Sequence, residues 1–289
     1  MRFLLTAISA FVLAAVTLSL PPRAGALTFK YLDPGYRSST FATLDVSINA
    51  LDIDEQGNLY VVDNTYWGTG TVFIDRYEAA DGYSRAAIYT SYTPTGNHAN
   101  GVAFDGLGNM YTSECTGSRD SGVFHKIDDM LATSVYHRVW YICPTGIDAD
   151  SSGNIYFTGR KAGDFLFGNI YMLDTSKELK VIVPDFVGTA VAVDSFGNIF
   201  ASNWQDNSLY MFEAETYTPF LIASFDIAPD GVAVDGQGNV YLFENTGYGD
   251  PLPTPIIKLT PVKALKRAGG APSLESASNH DGPAVSDVR

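Results

Sequence analysis

Five copies of one short pattern dominate the chain: alternating apolar residues, then Asp-x-x-Gly-Asn, then an apolar residue and an aromatic one. The glycines of successive copies are 51, 45, 44 and 41 residues apart. The copies end at Tyr60, Tyr111, Tyr156, Phe200 and Tyr241. A five-position pattern repeated at this near-constant spacing indicates one structural unit that recurs five times.

Each copy has the composition of a β-hairpin. The residues before the Asp alternate as a strand does, and the Asn begins the next strand. The Asp carboxylate can accept hydrogen bonds from backbone N–H groups in the turn, while Gly takes the positive φ that residues with a Cβ resist. We interpret the motif as turn chemistry, because a calcium loop needs more carboxylates converging on one point.

Two more strands follow the hairpin in each repeat, for example at 122–128 and 135–141. Four antiparallel strands in roughly 45 residues are typical of a propeller blade. The sequence therefore predicts an all-β protein, a β-propeller with five blades favoured and six possible. The fifth repeat lacks a fourth strand, and we expect residues 39–44 to supply it beside 255–260, so that the ring closes without an open edge.

The repeats resemble those of the NHL-repeat family, whose Gly-ϕ-Ala-ϕ-Asp-x-x-Gly-Asn-ϕ-Tyr core is clearest at 101–111 and 231–241. The resemblance covers about residues 37–260. It implies a propeller, commonly of six blades, in a family that includes enzymes, scaffolds and ligand binders, so it indicates little about chemistry.

A narrower resemblance links Asn100-Gly101 and Pro229-Asp230-Gly231 to the SMP-30/gluconolactonase-like propellers. It implies that Asn100 and Asp230 hold a divalent cation at the channel mouth, where such enzymes polarise a lactone carbonyl and activate water. The chain departs from that family by lacking the Gly-Pro-x-Trp context of its N-terminal Glu ligand and by having five repeats.

The ends of the chain differ from the repeats. Residues 1–26 have the form of a secretory signal: Arg2, an apolar run, and the small residues Ala24-Gly25-Ala26. A retained membrane anchor is the alternative. We predict cleavage after Ala26, a propeller over 27–263, a disordered polar tail over 264–289, no membrane span after cleavage, and a secreted or periplasmic location.

The charge of the chain excludes one class of partner. The formal net charge is −14, and loss of Arg2 and Arg23 with the signal would make it −16. Such an acidic surface repels phosphate backbones, so nucleic-acid binding is not expected. Export would permit a disulfide between the two cysteines, Cys115 and Cys143, but two free thiols remain the alternative.

The two faces of the expected ring differ. The Asp-x-x-Gly-Asn turns lie on one face, hereafter the turn face, and the variable loops lie on the other, the loop face, where binding usually resides. Polar residues at the ends of inner strands should surround the channel mouth there and could hold Ca²⁺ or another divalent cation. The candidate ligands are Asn49, Asn100, Asp230, Glu114 and Glu244. The alternative is that these side chains satisfy backbone groups at strand ends.

Aromatic residues on the loop face are the candidate ligand-binding positions. They are Tyr66, Trp67, Trp204 and Tyr248. Exposed rings beside carboxylates and amides are the usual chemistry of sugar or peptide capture, although some rings could simply cover neighbouring blades. The sequence offers no catalytic set, because the four histidines show no spacing typical of a metal or nucleophile site.

These observations leave three functional hypotheses. The first is a non-enzymatic binding or scaffold module that presents its loop face to a peptide, glycan or protein. The second is a metal-dependent hydrolase, lactonase or lyase with its site at the channel mouth. The third is a component of a surface assembly, with the tail as a tether.

Overall fold

The computed structural model describes residues 27–63, 70–96, 98–116, 121–161, 167–245 and 253–263. They form twenty-one strands and one 3-10 turn, Ala79–Asp81. The expected signal (1–26) and tail (264–289) lie outside the described residues. No helix among the described residues is long and apolar enough to cross a membrane.

The strands form five antiparallel sheets arranged as the blades of a ring. The chain begins with β1 (Phe29–Leu32) and β2 (Tyr36–Leu44). Blade 1 is β3 (Ile48–Ile53), β4 (Leu59–Asp63), β5 (Val72–Tyr77) and β6 (Arg85–Tyr92). Blade 2 is β7 (Ala99–Phe104), β8 (Met110–Cys115), β9 (Gly122–Ile127) and β10 (Thr133–Val139). Blade 3 is β11 (Ile142–Ala149), β12 (Ile155–Lys161), β13 (Gly168–Leu173) and β14 (Leu179–Val183). Blade 4 is β15 (Gly188–Val193), β16 (Ile199–Asn203), β17 (Ser208–Phe212) and β18 (Pro219–Phe225). Blade 5 contains β19 (Gly231–Val234), β20 (Val240–Phe243) and β21 (Thr254–Pro261).

The N-terminal strand completes the last blade, as the sequence predicts. Strand β2 pairs with β21 over its whole length, with Thr40 opposite Ile257 and Leu44 opposite Thr254. The innermost strands β3, β7, β11, β15 and β19 each contact the next, and β19 contacts β3. The five-bladed propeller is thereby confirmed.

Strand β1 is an addition that the repeat pattern does not predict. It pairs with β18 and makes blade 4 a five-stranded sheet. The Phe29 and Phe225 rings lie 4.9 Å apart across this pair, and Leu27 is buried in the core shared by blades 4 and 5. The N-terminal segment therefore holds two neighbouring blades.

The core lies in the seams between blades. Five clusters of buried apolar residues each draw side chains from two adjacent blades, for example Phe124 of blade 2 and Phe157 of blade 3, whose rings lie 5.0 Å apart. Inner strands bury both faces, which explains why they read as nearly continuous apolar runs.

The repeated turn has the expected chemistry. In blade 1, Asp54 Oδ1 accepts the N–H groups of Gln56 and Asn58 at 2.9 and 2.8 Å, while Oδ2 accepts the Asn58 amide at 2.9 Å. Gly57 has φ +83°. The Tyr60 hydroxyl also donates to Asp54 at 3.2 Å, which explains the aromatic position of the motif.

Candidate binding face

Four polar residues on the loop face occupy equivalent β-bulges. Asn49, Asn100, Thr145 and Thr189 each stand five residues before the turn aspartate of their repeat. The strand register shifts across each of them, between the residues that flank it. A bulge leaves its extra residue out of the ladder and re-aims its side chain. Here the side chains reach toward the next blade.

These four side chains form a belt of blade-to-blade hydrogen bonds. Each donates to the backbone carbonyl of the residue that precedes the next position of the belt. The bonds are Asn49 Nδ2 to Ala99 O, 2.6 Å, Asn100 Nδ2 to Pro144 O, 2.7 Å, Thr145 Oγ1 to Gly188 O, 2.9 Å, and Thr189 Oγ1 to Pro229 O, 2.6 Å. We call these four bonds and their donors the interblade belt. Their first role is therefore to join blades.

The fifth position of the belt is different because it holds Asp230. Its Oδ2 accepts the Asn245 N–H at 2.8 Å, and the Asn245 amide donates to Asn49 Oδ1 at 3.3 Å. Blade 5 is thus linked to blade 1 through Asn245. Burial raises the pKa of Asp230. Burial and then the charge of Asp230 raise the pKa of Glu244, which places both carboxyl groups in one region.

Glu114 does not face the channel mouth. Its side chain is fully buried at the seam of blades 1 and 2, with Oε1 at 2.9 Å from His125 Nε2. Glu114 Oε2 accepts the Gly96 N–H at 2.8 Å. The Tyr92 hydroxyl, 2.7 Å from Thr112 Oγ1, lies in the same seam, and burial and then the Glu114 charge raise the pKa of Tyr92. This polar cluster positions the loop that enters blade 2.

The five candidate cation ligands are thereby divided. Asn49 and Asn100 use their amide nitrogens in the interblade belt, Glu114 pairs with His125, and Asp230 and Glu244 stay together at the fifth seam. Within the described ranges, no group of three His, Cys, Asp or Glu residues could hold a metal ion. Glu114 is therefore set apart from the other candidates by its pairing in the seam.

The two cysteines form an interblade disulfide. Cys115 at the end of β8 is bonded to Cys143 near the start of β11, with 5.0 Å between the Cα atoms. The bond ties blade 2 to blade 3 on the loop face. Two residues before Cys143, the chain turns from β10 into β11.

That turn carries two exposed aromatic residues that the sequence analysis placed in a strand. Trp140 is 69 % exposed and Tyr141 is 59 % exposed. Tyr141 has φ 61°, in the left-handed region that side chains with a Cβ disfavour. The signal for this turn is weak, because it contains no Gly, Asn or Pro.

Two further exposed aromatic residues lie on the loop face of blades 3 and 4. Phe167 is 58 % exposed and Trp204 is 38 % exposed. Lys161, in the strand beside the turn, donates its N–H to Phe167 O at 3.2 Å, and Trp204 donates its N–H to Val187 O at 3.2 Å. We call Trp140, Tyr141, Phe167 and Trp204 the aromatic rim. Of the four aromatic residues predicted from sequence, Trp204 belongs to it, and Tyr66, Trp67 and Tyr248 lie outside the described residues.

Comparison with known proteins identifies the fold. No family model and no curated protein matches the chain. A solved structure of a nidogen/laminin complex contains a chain that matches with a TM-score of 0.53 and 15 % identity, over 78 % of this chain and 89 % of that one. The PQQ-bound aldose sugar dehydrogenase from Streptomyces coelicolor matches with a TM-score of 0.50 and 14 % identity, over 83 % and 99 %. A gluconolactonase from Xanthomonas campestris matches with a TM-score of 0.48 and 13 % identity, over 78 % of this chain and 89 % of that one. At 15 and 14 % identity, the first two matches support the β-propeller fold and nothing finer.

Proposed function

We propose that this protein is an exported binding or scaffold module that holds a protein partner on its loop face. The observation that carries the proposal is the aromatic rim: four large exposed rings near the loop-face ends of strands in blades 2, 3 and 4. Aromatic residues are enriched in protein interfaces, where they supply contact area at low cost in side-chain entropy. Loops on a rigid scaffold are a usual place for such contacts.

One local feature supports a binding role for the rim. The Cys115–Cys143 disulfide restrains the strand that follows the turn and so limits movement of the Trp140 and Tyr141 backbone. The chain is acidic, with a net charge of −14, so a partner with a basic surface would associate fastest.

Export is the second part of the proposal. It rests on the signal pattern of residues 1–26 and on a disulfide, which persists in oxidising compartments. N-terminal sequencing of the protein recovered from the medium or the cell envelope should begin at Leu27. Recovery of the intact N-terminus from the cytoplasm would contradict export.

Photo-crosslinking tests the binding site directly. A photoreactive residue at position 141 should capture one partner in the producing cells, whereas the same residue at position 107, an exposed apolar site on the turn face, should not. With the captured partner purified, the double change Trp140→Ser and Tyr141→Ser should weaken binding by at least about tenfold. The matched control, Leu107→Ser with Met130→Ser, removes exposed apolar side chains from the turn face and should leave affinity unchanged. Equal affinity of both variants, or a glycan as the ligand of the rim, would overturn the proposal.

A metal-dependent hydrolase is the second candidate, and one observation favours it. Asp230 and Glu244 form a pair of partly buried carboxyl groups beside the channel mouth, where a cation would relieve their repulsion. This candidate predicts that Ca²⁺ raises the melting temperature and that Asp230→Ala abolishes the increase. It also predicts lactone hydrolysis by the purified protein. No shift at millimolar Ca²⁺ would count against it.

A further inference from the structure

A cleft on the turn face, opposite the aromatic rim, has the features of a second binding site. It lies where the Asp54 turn of blade 1 meets the Asp235 turn of blade 5, and its volume is about 410 Å³. Small-molecule sites typically occupy about 300–1,000 Å³. We infer that this cleft binds a neutral sugar ring, a function separate from the protein contact proposed for the loop face.

The apolar wall of the cleft is built from three aromatic residues. Phe41, the bulged residue of β2, lies 4.5 Å from the ring of Tyr83 and 4.7 Å from the ring of Tyr241, between ring centroids. The Tyr83 hydroxyl donates to Gly57 O at 3.2 Å, which anchors this ring on blade 1. The wall therefore joins the first and last blades.

The apolar lining of the cleft includes Ile53, which precedes the turn aspartate of blade 1. The equivalent residue of blade 2, Phe104, lies 4.4 Å from the ring of Tyr60, so a ring fills the corresponding position between blades 1 and 2. Blades 3, 4 and 5 carry Ala149, Val193 and Val234 at this position, so the size of this residue alone does not open the cleft.

The polar groups available to a ligand are few and of both signs. The turn carboxylates are engaged within their own turns; Asp235 Oδ2, for example, accepts the Tyr241 hydroxyl at 2.8 Å. Exposed Glu55 and Gln237 also line the cleft. Lys258 places Nζ 5.2 Å from the centroid of Tyr241 and 5.6 Å from that of Phe41. None of the ion pairs among the described residues involves Lys258, so its N–H donors are available.

These groups select against anionic ligands, because Asp54, Glu55 and Asp235 outnumber Lys258 in the lining. Lys258 Nζ already holds the position over Phe41 and Tyr241 that a cationic ligand would take. A sugar is neutral, carries hydroxyls that both donate and accept, and presents an apolar C–H face that can pack on Tyr83. Lys258 can donate to its hydroxyls, Glu55 can accept from them, and Gln237 can do both.

Ligand-observed NMR with the purified protein tests this inference. The probes are methyl β-glucoside, methyl α-mannoside, N-acetylglucosamine, cellobiose and maltose, each at millimolar concentration, with acetate and methylammonium as charged probes. Saturation transfer should reach the ring protons of at least one sugar. Lys258→Met keeps an aliphatic side chain over the rings and removes the N–H donors, so it should lower the affinity for that sugar by about tenfold. Tyr83→Leu should lower the affinity by a similar factor.

The matched control is Lys126→Met. Lys126 occupies the same register in blade 2, 5.9 Å from the ring centroid of Tyr111, and does not line the cleft, so sugar binding should be unchanged. Melting temperatures of the variants identify any that unfold. The inference is overturned if no sugar binds, if Lys258→Met and Lys126→Met behave alike, or if a charged probe competes for the cleft. Trp140→Ser should weaken binding of the protein partner on the loop face and leave sugar binding on the turn face unchanged. The two proposals can therefore fail independently of each other.

Discussion

The two faces of the ring are stabilised in different ways. On the turn face, each Asp-x-x-Gly-Asn turn satisfies its own polar groups within one blade, as Asp150 does for Ser152, Asn154 and Tyr156. On the loop face, the interblade belt and the Cys115–Cys143 disulfide run from one blade to the next. Repetition along the sequence therefore builds the blades, whereas the loop face adds polar and covalent bonds that run between them.

Of the changes that test this difference between the faces, removal of the disulfide should lower the stability most. The double change Cys115→Ser and Cys143→Ser opens a bond between residues 28 apart in sequence, and loop-closure entropy predicts a loss of about 3–4 kcal/mol of unfolding free energy. Guanidinium denaturation measures it. Reduced wild-type protein serves as the control and should match the double variant. Two titratable thiols in the unfolded, unreduced protein would contradict the disulfide.

Breaking a turn should come next. Asp150→Ala leaves two backbone N–H groups, one amide and one hydroxyl without their acceptor, so we expect a loss of about 2–3 kcal/mol in denaturant unfolding. Asp129→Ala, an exposed aspartate of a c–d turn on the same face, is the control and should change stability by less than about 0.5 kcal/mol. Equal effects would show that the turn carboxylate contributes nothing special.

The interior between the faces should make stability depend on pH. Burial raises the pKa of Asp52 to about 7 and the pKa of Asp148 well above its ordinary value, with the Asp52 charge adding to the latter. In the unfolded chain an Asp titrates near about 3.9. The folded state binds these protons more tightly than the unfolded chain does. The stabilisation from the two protonated carboxyl groups is therefore complete below the pKa of an Asp in the unfolded chain, and it is lost as the pH rises through 7. We expect a loss of about 2 kcal/mol between pH 5 and pH 8.

A double variant separates this pair from other titrating groups. Blades 2, 4 and 5 carry Ala103, Ala192 and Ala233 at the position of Asp52 and Asp148. Asp52→Ala with Asp148→Ala makes the five blades alike there and should flatten the pH profile, measured by thermal denaturation. An unchanged profile would assign the pH dependence elsewhere.

The smallest expected change in stability concerns the loop face alone, where Asp230 differs from the four donors of the interblade belt. Among the five equivalent positions, Asp230 alone has a carboxylate in place of a donor. By the spacing of the other four bonds, a donor at position 230 would reach the carbonyl of Ile48. Asp230→Asn supplies an N–H donor there and keeps an acceptor for Asn245, so stability should rise by about 1 kcal/mol. The reciprocal change, Asn100→Asp, should lower it by a similar amount. A higher melting temperature for Asp230→Asn together with a lower one for Asn100→Asp would support the belt. Shifts of both melting temperatures in the same direction would contradict it.

Much of the architecture could be predicted because local rules repeat. The turn motif, the strand alternation and the missing fourth strand of the fifth repeat are all readable in one dimension, and the pairing of β2 with β21 follows from them. Strand β1 could not be predicted, since residues 29–32 match no repeat and their position depends on the exposed edge of β18.

The candidate site was harder to predict because side-chain direction depends on neighbouring blades. The repeat spacing indicates that Asn49, Asn100 and Asp230 are equivalent positions, but it does not indicate the belt, since the acceptors are backbone carbonyls 40 to 50 residues away. Glu114 was assigned to the channel mouth because it ends a strand, and His125 of β9 draws it into a seam instead. Trp140 and Tyr141 were assigned to a strand, because no Gly, Asn or Pro marks their turn.

By itself, the amino-acid sequence determined the repeated blade and the closure of the ring and favoured five blades over six, because these depend on turn chemistry and strand periodicity within about 45 residues. Only the tertiary structure decided which polar side chains join blades, which rings remain exposed on the loop face, and where a cleft opens on the turn face. Those features depend on what the adjacent blade places opposite each side chain, and the chain brings that blade into contact only when the ring has closed.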